Sequence, residues 1–292
     1  MLDNKDFEQV LSSLSFLNST NHKQLNEVLN CYPQPSSLCR FTSIKLIVEL
    51  TTVLSLPSSV SIHSVEILDV LVSFFQVTVK KVKVLIAVAV SLACNFTLPL
   101  TSQPSLESVL LLSRGVFTEE DLYFARFSAS FSGDLVGESI LLSSVHLLTA
   151  GVSHFFHSQV VSRLLNTFTD LDIDKLPPRS DLSGLQMAAE VLLTSCLDEE
   201  FLFSHSPILC AAGALKAVCC FGFNQVYYNC CSEGISLIFA LIKIPCALLD
   251  EVEQCFCDSL AGYNEDCDNG DGLPVVQVNN VYSPCCLHDQ KG

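Results

Sequence analysis

Apolar residues recur every three to four positions through most of the chain, and in one stretch they run without a break. From Val84 to Cys94 every residue is apolar except Ser91, so no face of a helix there stays polar. A surface helix keeps a polar stripe, and about 11–13 residues is longer than the usual 4–8 of a buried strand. Val82–Phe96 is therefore expected to be a helix enclosed on all sides, with Ala87, Ala89, Ser91 and Ala93 letting neighbours approach closely.

Amphipathic segments surround it. Asp3–Leu17 sets Phe7, Val10, Leu11 and Leu14 at helical spacing, and Pro33–Ser37 breaks it from the body of the chain. Thr42–Leu54 carries Ile44, Ile47, Val48 and Leu54 on one side. After a turn at Leu56–Ser59, Ser61 is expected as the N-cap of a helix to Phe75 that buries Val65, Leu68, Val72 and Phe75. A turn near Lys80–Lys81 leads into the central helix. Pro104 has the place of a first helical residue and Gly115 that of an exit, with Leu106, Val109 and Leu110 inward. Thr118–Asp121 has capping-box spacing, with Asp where Glu is usual. Leu122, Phe124, Phe127 and Phe131 are expected to fill the helix that Gly133 ends. This region reads as five helices around an apolar third.

The theme then repeats. Glu138–Ala150 reads as helix, Asp170–Leu185 as a linker with Pro177-Pro178, and Leu185–Leu197 as another amphipathic helix. Ser206-Pro207 starts a second apolar, small-residue helix, I-L-C-A-A-G-A-L-K-A-V-C-C-F. Gly234–Leu249 and Asp250–Cys257 supply the last helices, and the acidic tail from Gly262 is expected to be disordered. The fold class is all-α: two tandem five-helix bundles, each built around an apolar third helix. The expected boundaries are 1–37 for the N-terminal helix and linker, 38–136 and 137–258 for the two bundles, and 259–292 for the acidic, Cys-containing tail.

Charge and composition narrow the function. A net charge of −16 argues against direct, sequence-independent nucleic-acid binding, which relies on Lys and Arg. The uncharged run Val84–Leu106 has the length of a membrane span, about 20 residues. Its second half is polar and Pro-containing, and Lys216 interrupts the other apolar helix, so no membrane association is expected. The start, M-L-D-N-K-D-F-E, is too charged for a signal peptide. The 15 cysteines, twelve of them between Cys196 and Cys286, are accordingly expected as free thiols in a reducing compartment. No C-x-x-C occurs; Cys255, Cys257, Cys267 and His288 make a weak metal set, as do His146, His154 and His157, so no metal is expected. No catalytic motif or phosphate-binding loop is present, and neither a cofactor nor enzymatic activity is expected.

The layout, together with the strings Phe41–Ile44, S-I-H-S-V-E-I-L-D (Ser61–Asp69), Val84–Asn95, Thr118–Leu135 and Ser206–Ala212, resembles the cyclin family. The string S-V-S-I-H-S-V-E-I-L is similar to the cyclin-like proteins of meiotic crossover formation. That resemblance implies a non-enzymatic protein of the nucleus, chromosome-associated in meiotic cells, with the cytoplasm as the alternative location, that promotes crossover maturation. Its implied partners are a cyclin-dependent kinase and crossover or mismatch-repair-type factors; the alternative is a divergent cyclin that binds and activates a kinase. The implied partner-binding residues are Ile44, Val48, Asn95, Glu120 and Arg126. Kinase-activating cyclins carry Lys near the end of the third helix and Glu in the fifth. The matching positions here are Asn95 and Arg126, which alters charge complementarity at such an interface.

Overall fold

Residues 4–19, 25–113, 117–132, 136–157, 179–222 and 225–267 are described by a computed structural model of the chain. These residues are all-α and contain no strand. In order they form α1 (Asn4–Ser19), α2 (Leu25–Leu29), α3 (Ser36–Val53), α4 (Ser58–Phe75), α5 (Val79–Thr97), α6 (Leu106–Leu112) and α7 (Glu119–Ser132). Then follow α8 (Ile140–His157), α9 (Arg179–Ser195), α10 (Phe201–Ser204), α11 (Pro207–Gly222), α12 (Gln225–Ile242) and α13 (Leu249–Cys267). The chain divides into two units. One comprises Asn21–Ser143 with Leu193–Ser204, the other Met1–Thr20, Ser144–Leu192 and His205–Gly292.

In the first unit α3 to α7 surround α5, whose Val82, Val84–Val90 and Leu92–Cys94 are all buried. α4 packs most extensively against it and buries Val65, Leu68, Leu71 and Val72. Each such side chain withdrawn from water contributes about 1.5–3 kcal/mol, which is why the uninterrupted apolar run becomes the core. α4 is long and apolar enough, by length and composition alone, to cross a membrane; ten of its residues are buried within the chain.

Several local expectations shift. α3 starts at Ser36, six residues before Thr42, and buries Leu50 and Thr51 while Leu54 lies past its end. Ser61 is not a cap: α4 begins at Ser58, and the buried Ser61 hydroxyl shares a 2.7 Å hydrogen bond with Thr51 of α3. The turn before α5 lies at Gln76, in the left-handed region (φ 46°), its N–H donating to Val72 O. Lys80 and Lys81 already belong to α5. The cap of α6 is Ser105, whose hydroxyl accepts from Ser108 N at 3.2 Å, so the helix opens at Leu106, two residues after the expected first helical residue Pro104. The capping box of α7 does form: Thr118 N donates to Asp121 Oδ2 at 3.0 Å and Asp121 N to Thr118 Oγ1 at 3.2 Å. Those contacts, with Lys81, hold the Asp121 carboxyl down at about 2. The exits at Gly115 and Gly133 lie outside the described residues.

The second unit is built around α11, which packs on α12 and α13. Ser206 caps it as expected, accepting from Leu209 N at 3.4 Å. Gly213 explains the close approach of α13: a Cβ there would lie 2.7 Å from Val252 Cγ1 and 3.2 Å from Glu253 N. α1 belongs to this unit. Its Phe7 stacks on His154 of α8 at 4.4 Å and meets Phe155 edge-on at 5.2 Å. Residues 179–185, expected as linker, open α9, and α13 continues through the expected tail start to Cys267. The rest of both segments lies outside the described residues.

The start of α8 is tied to α4. His63 Nε2 lies 2.9 Å from Gly137 O, and Leu141 N donates to Glu66 Oε1 at 3.0 Å. Part of Glu66 is exposed, but its Oε2 is enclosed without a partner, and burial pushes the carboxyl up to about 7. Burial likewise lowers His63. With the folded value above the ordinary 4.5, the native state binds the extra proton, so this contribution to stability falls as pH rises from about 4.5 to 7. Glu66→Gln is expected to remove that slope and to stabilise the protein above pH 7 by on the order of 1–3 kcal/mol. Urea midpoints of both proteins across that range provide the check.

Candidate partner-binding face

The face that the expected residues outline runs from the end of α5 over α6 and α7. Asn95 sits in the last turn of α5, exposed, and among the described residues its side chain makes no hydrogen bond. Phe96 beside it is partly exposed and packs on His63 at 5.2 Å. The chain then passes Leu100 and reaches α6, whose Leu111 projects outward; both leucines are more than four-fifths exposed. This rim is apolar and solvated at once.

Arg126 on α7 faces α6. Its Nε and Nη2 donate to Glu107 Oε1 at 3.3 and 3.0 Å, an exposed pair. The Glu107 backbone amide and Arg126 hold that carboxyl below its ordinary value. Exposed pairs of this kind contribute about 0–1 kcal/mol, so the pair sets local charge more than stability. Glu120 is also exposed and lies 3.4 Å from Lys81 Nζ, which makes a closer 2.9 Å bond to Asp121. Asn95, Glu120 and Arg126 are thus all accessible, and Val48 is half-buried. Ile44 is not accessible: it is 2% exposed and packs in the core on the inner side of α3, where no partner reaches it.

The largest departure lies on α7. Phe124, Phe127 and Phe131 do not fill the core. The buried side of this helix is Ala125, Ser128 and Ser132, small enough to let α7 lie close on α5. The phenylalanines turn outward and join Phe74 and Phe75 of α4 in a wall of rings with centroids 5.1–6.4 Å apart. Periodicity found the stripe but assigned it the wrong side, because small inward residues give no hydrophobic signal. The Glu107–Arg126 and Lys81–Asp121 pairs gave none either, since each joins different helices.

Helices α3 to α6, the start of α7 as far as Arg126, and this face fall within one matched stretch. Residues 12–126 match the family model described as cyclin, N-terminal domain. The match is to a cyclin box. It begins inside α1 and ends at Arg126, so it spans the enclosed α5, the Asn95 rim and most of α7. No curated protein matches the chain. The all-α arrangement around a buried third helix is the cyclin-like fold that the sequence led us to expect. Cyclin domains are regulatory and work by binding other proteins, kinases among them. The thiols of Cys94, Cys196, Cys210, Cys219 and Cys231 are buried and form no disulfide, serving as small core residues. Burial raises Cys210 to about 12, well away from a reactive thiolate. Among the described residues no cluster of His, Cys, Asp or Glu is arranged to hold a metal; the side chains of His157, Cys267 and His288 lie outside them.

Proposed function

We propose that this protein is a non-enzymatic, cyclin-like scaffold of meiotic recombination, promoting crossover maturation in the nucleus through protein–protein contacts. The supporting observation is Arg126 bound to Glu107, at the position that matches the Glu by which kinase-activating cyclins contact the kinase. Together with the neutral Asn95, it leaves the face without the charges that an ordinary kinase interface uses. Like charges placed against a partner cost several kcal/mol, which disfavours ordinary kinase activation and leaves scaffolding intact. The similarity of Ser59–Leu68 to meiotic cyclin-like proteins supplies the setting, with crossover or mismatch-repair-type factors as partners.

The second reading is a divergent cyclin that activates a cyclin-dependent kinase; the apolar rim at Phe96, Leu100 and Leu111 favours it, being open to a partner. Deleting the gene separates the two. Loss of crossovers with normal mitotic growth supports the scaffold; a mitotic cell-cycle defect with normal crossover number contradicts it.

A further inference from the structure

α7 has its amphipathicity reversed. Small and hydroxyl side chains point in, two of them (Ser128 and Ser132) with buried hydroxyls that lack partners, while aromatic rings point out. Phe74, Phe127 and Phe131 remain 50%, 49% and 45% exposed, and Tyr123 beside them 74%. Phe127 and Phe131 stack at 5.8 Å, and Phe131 meets Phe74 at 5.2 Å. Contiguous exposed apolar surface of this kind marks an interaction site. With about 100° per residue, Phe127 and Phe131 lie roughly 100–140° around α7 from Arg126, so the wall is turned away from Asn95 and Arg126, while Glu120 of the candidate face lies at the end of the wall.

Charge selects the partner. The first turn of α7 brings Glu119, Glu120 and Asp121 to one end of the stripe, against the single ammonium of Lys81. Lys80 and Lys83 are turned about 100° and 200° around α5 from Lys81. Lys81 also shows what this end accepts: its Nζ lies between the two carboxylates and 5.0 Å from the centroid of Phe124, over the ring face. A ring face and a carboxylate together favour a cation, and the chain as a whole carries −16.

We propose that the α4–α7 aromatic wall docks a basic amphipathic helix of a partner protein. Its apolar residues lie on Phe74, Phe127 and Phe131, and its Arg or Lys side chains meet Glu119 and Glu120. The proposal rests on the reading of this chain as a protein-binding scaffold and adds the chemistry of one partner.

The test uses the full chain and a fluorescent helical peptide with Leu at i, i+3, i+4 and i+7 and Arg on its flanks. Controls are a scrambled peptide of the same composition and a peptide with Glu replacing Arg. Anisotropy titrations are expected to show binding of the Arg peptide alone. The pair Phe127→Ser with Phe131→Ser is expected to weaken it at least roughly tenfold, and Glu119→Lys with Glu120→Lys by a similar factor. The second pair changes only exposed residues, so it keeps the test alive if the first disturbs folding. Equal binding of the scrambled or Glu peptide, or no loss in either variant, overturns the proposal. So does sedimentation showing a dimer that the Phe variants dissolve, which would make a second copy the occupant. The scaffold reading fails by a different observation, the absence of both expected partner classes on purification.

Discussion

Asp69→Ala is expected to unfold the first unit. Arg40, buried at the start of α3, places Nε and Nη2 at 3.1 and 2.9 Å from the two oxygens of Asp69 on α4. The Tyr32 hydroxyl donates to Asp69 Oδ1 at 2.8 Å, and Phe203 of α10 covers the guanidinium at 3.9 Å. Burial alone would lower the Arg40 pKa, but Asp69 outweighs it and leaves it raised; burial and the same carboxylate push Tyr32 well up. One carboxylate thus ties α3, α4, the segment after α2 and, through the ring, α10. Removing it strands a guanidinium that has lost its contact with water, at a cost of about 3–5 kcal/mol. Hydrogen exchange of α3 and α4 amides measures the loss. The double change Arg40→Met with Asp69→Leu is expected to recover most of it, since no buried charge is then left unpaired. An Asp69→Ala protein with unchanged exchange in α4 contradicts this reading.

Glu253→Ala is expected to have a comparable effect in the second unit. Lys216 lies within the central α11 with its side chain only 4% exposed, reaching Glu253 Oε2 at 2.5 Å and Asp250 Oδ1 at 3.0 Å. Burial pulls the ammonium's pKa down, yet the two carboxylates more than compensate and it stands above its ordinary value. Glu253 is itself nearly enclosed, whereas Asp250 is 84% exposed. Loss of Glu253 leaves the charge buried with one solvated partner, costing about 3–5 kcal/mol; loss of Asp250 costs about 1 kcal/mol or less. Exchange in α11 and α13 is expected to rise in the first variant and barely change in the second, with α3–α5 unaffected in both.

How much of this was legible follows from the length scale of each signal. The all-apolar α5 and the apolar α11 announced two bundle cores, because burial on every side leaves a continuous pattern in sequence. Caps set by residues three apart, such as Thr118–Asp121 and Ser206–Leu209, were readable for the same reason: the contact is local. The Ser61 cap was misplaced because a Ser inside a helix looks identical until Thr51 is known to sit opposite. Arg40–Asp69 and Lys216–Glu253 bridge separations of 29 and 37 residues, and nothing local distinguishes these charges from solvated ones. The candidate face was half legible. The resemblance to cyclins implied Asn95 and Arg126 as partner-binding positions, but that Arg126 is tied to Glu107, and that the phenylalanines of α7 face outward, required the packing of α6 and α4 beside it.

One purification bears most directly on the claim that the cyclin fold serves here as a scaffold. The tagged protein is recovered from meiotic cells, its companions are identified, and the eluate is assayed for kinase activity. Crossover or mismatch-repair-type factors without kinase activity are the expected result. A co-purifying kinase that is active, and whose activity disappears with Arg126→Glu, would contradict it and establish a working kinase interface.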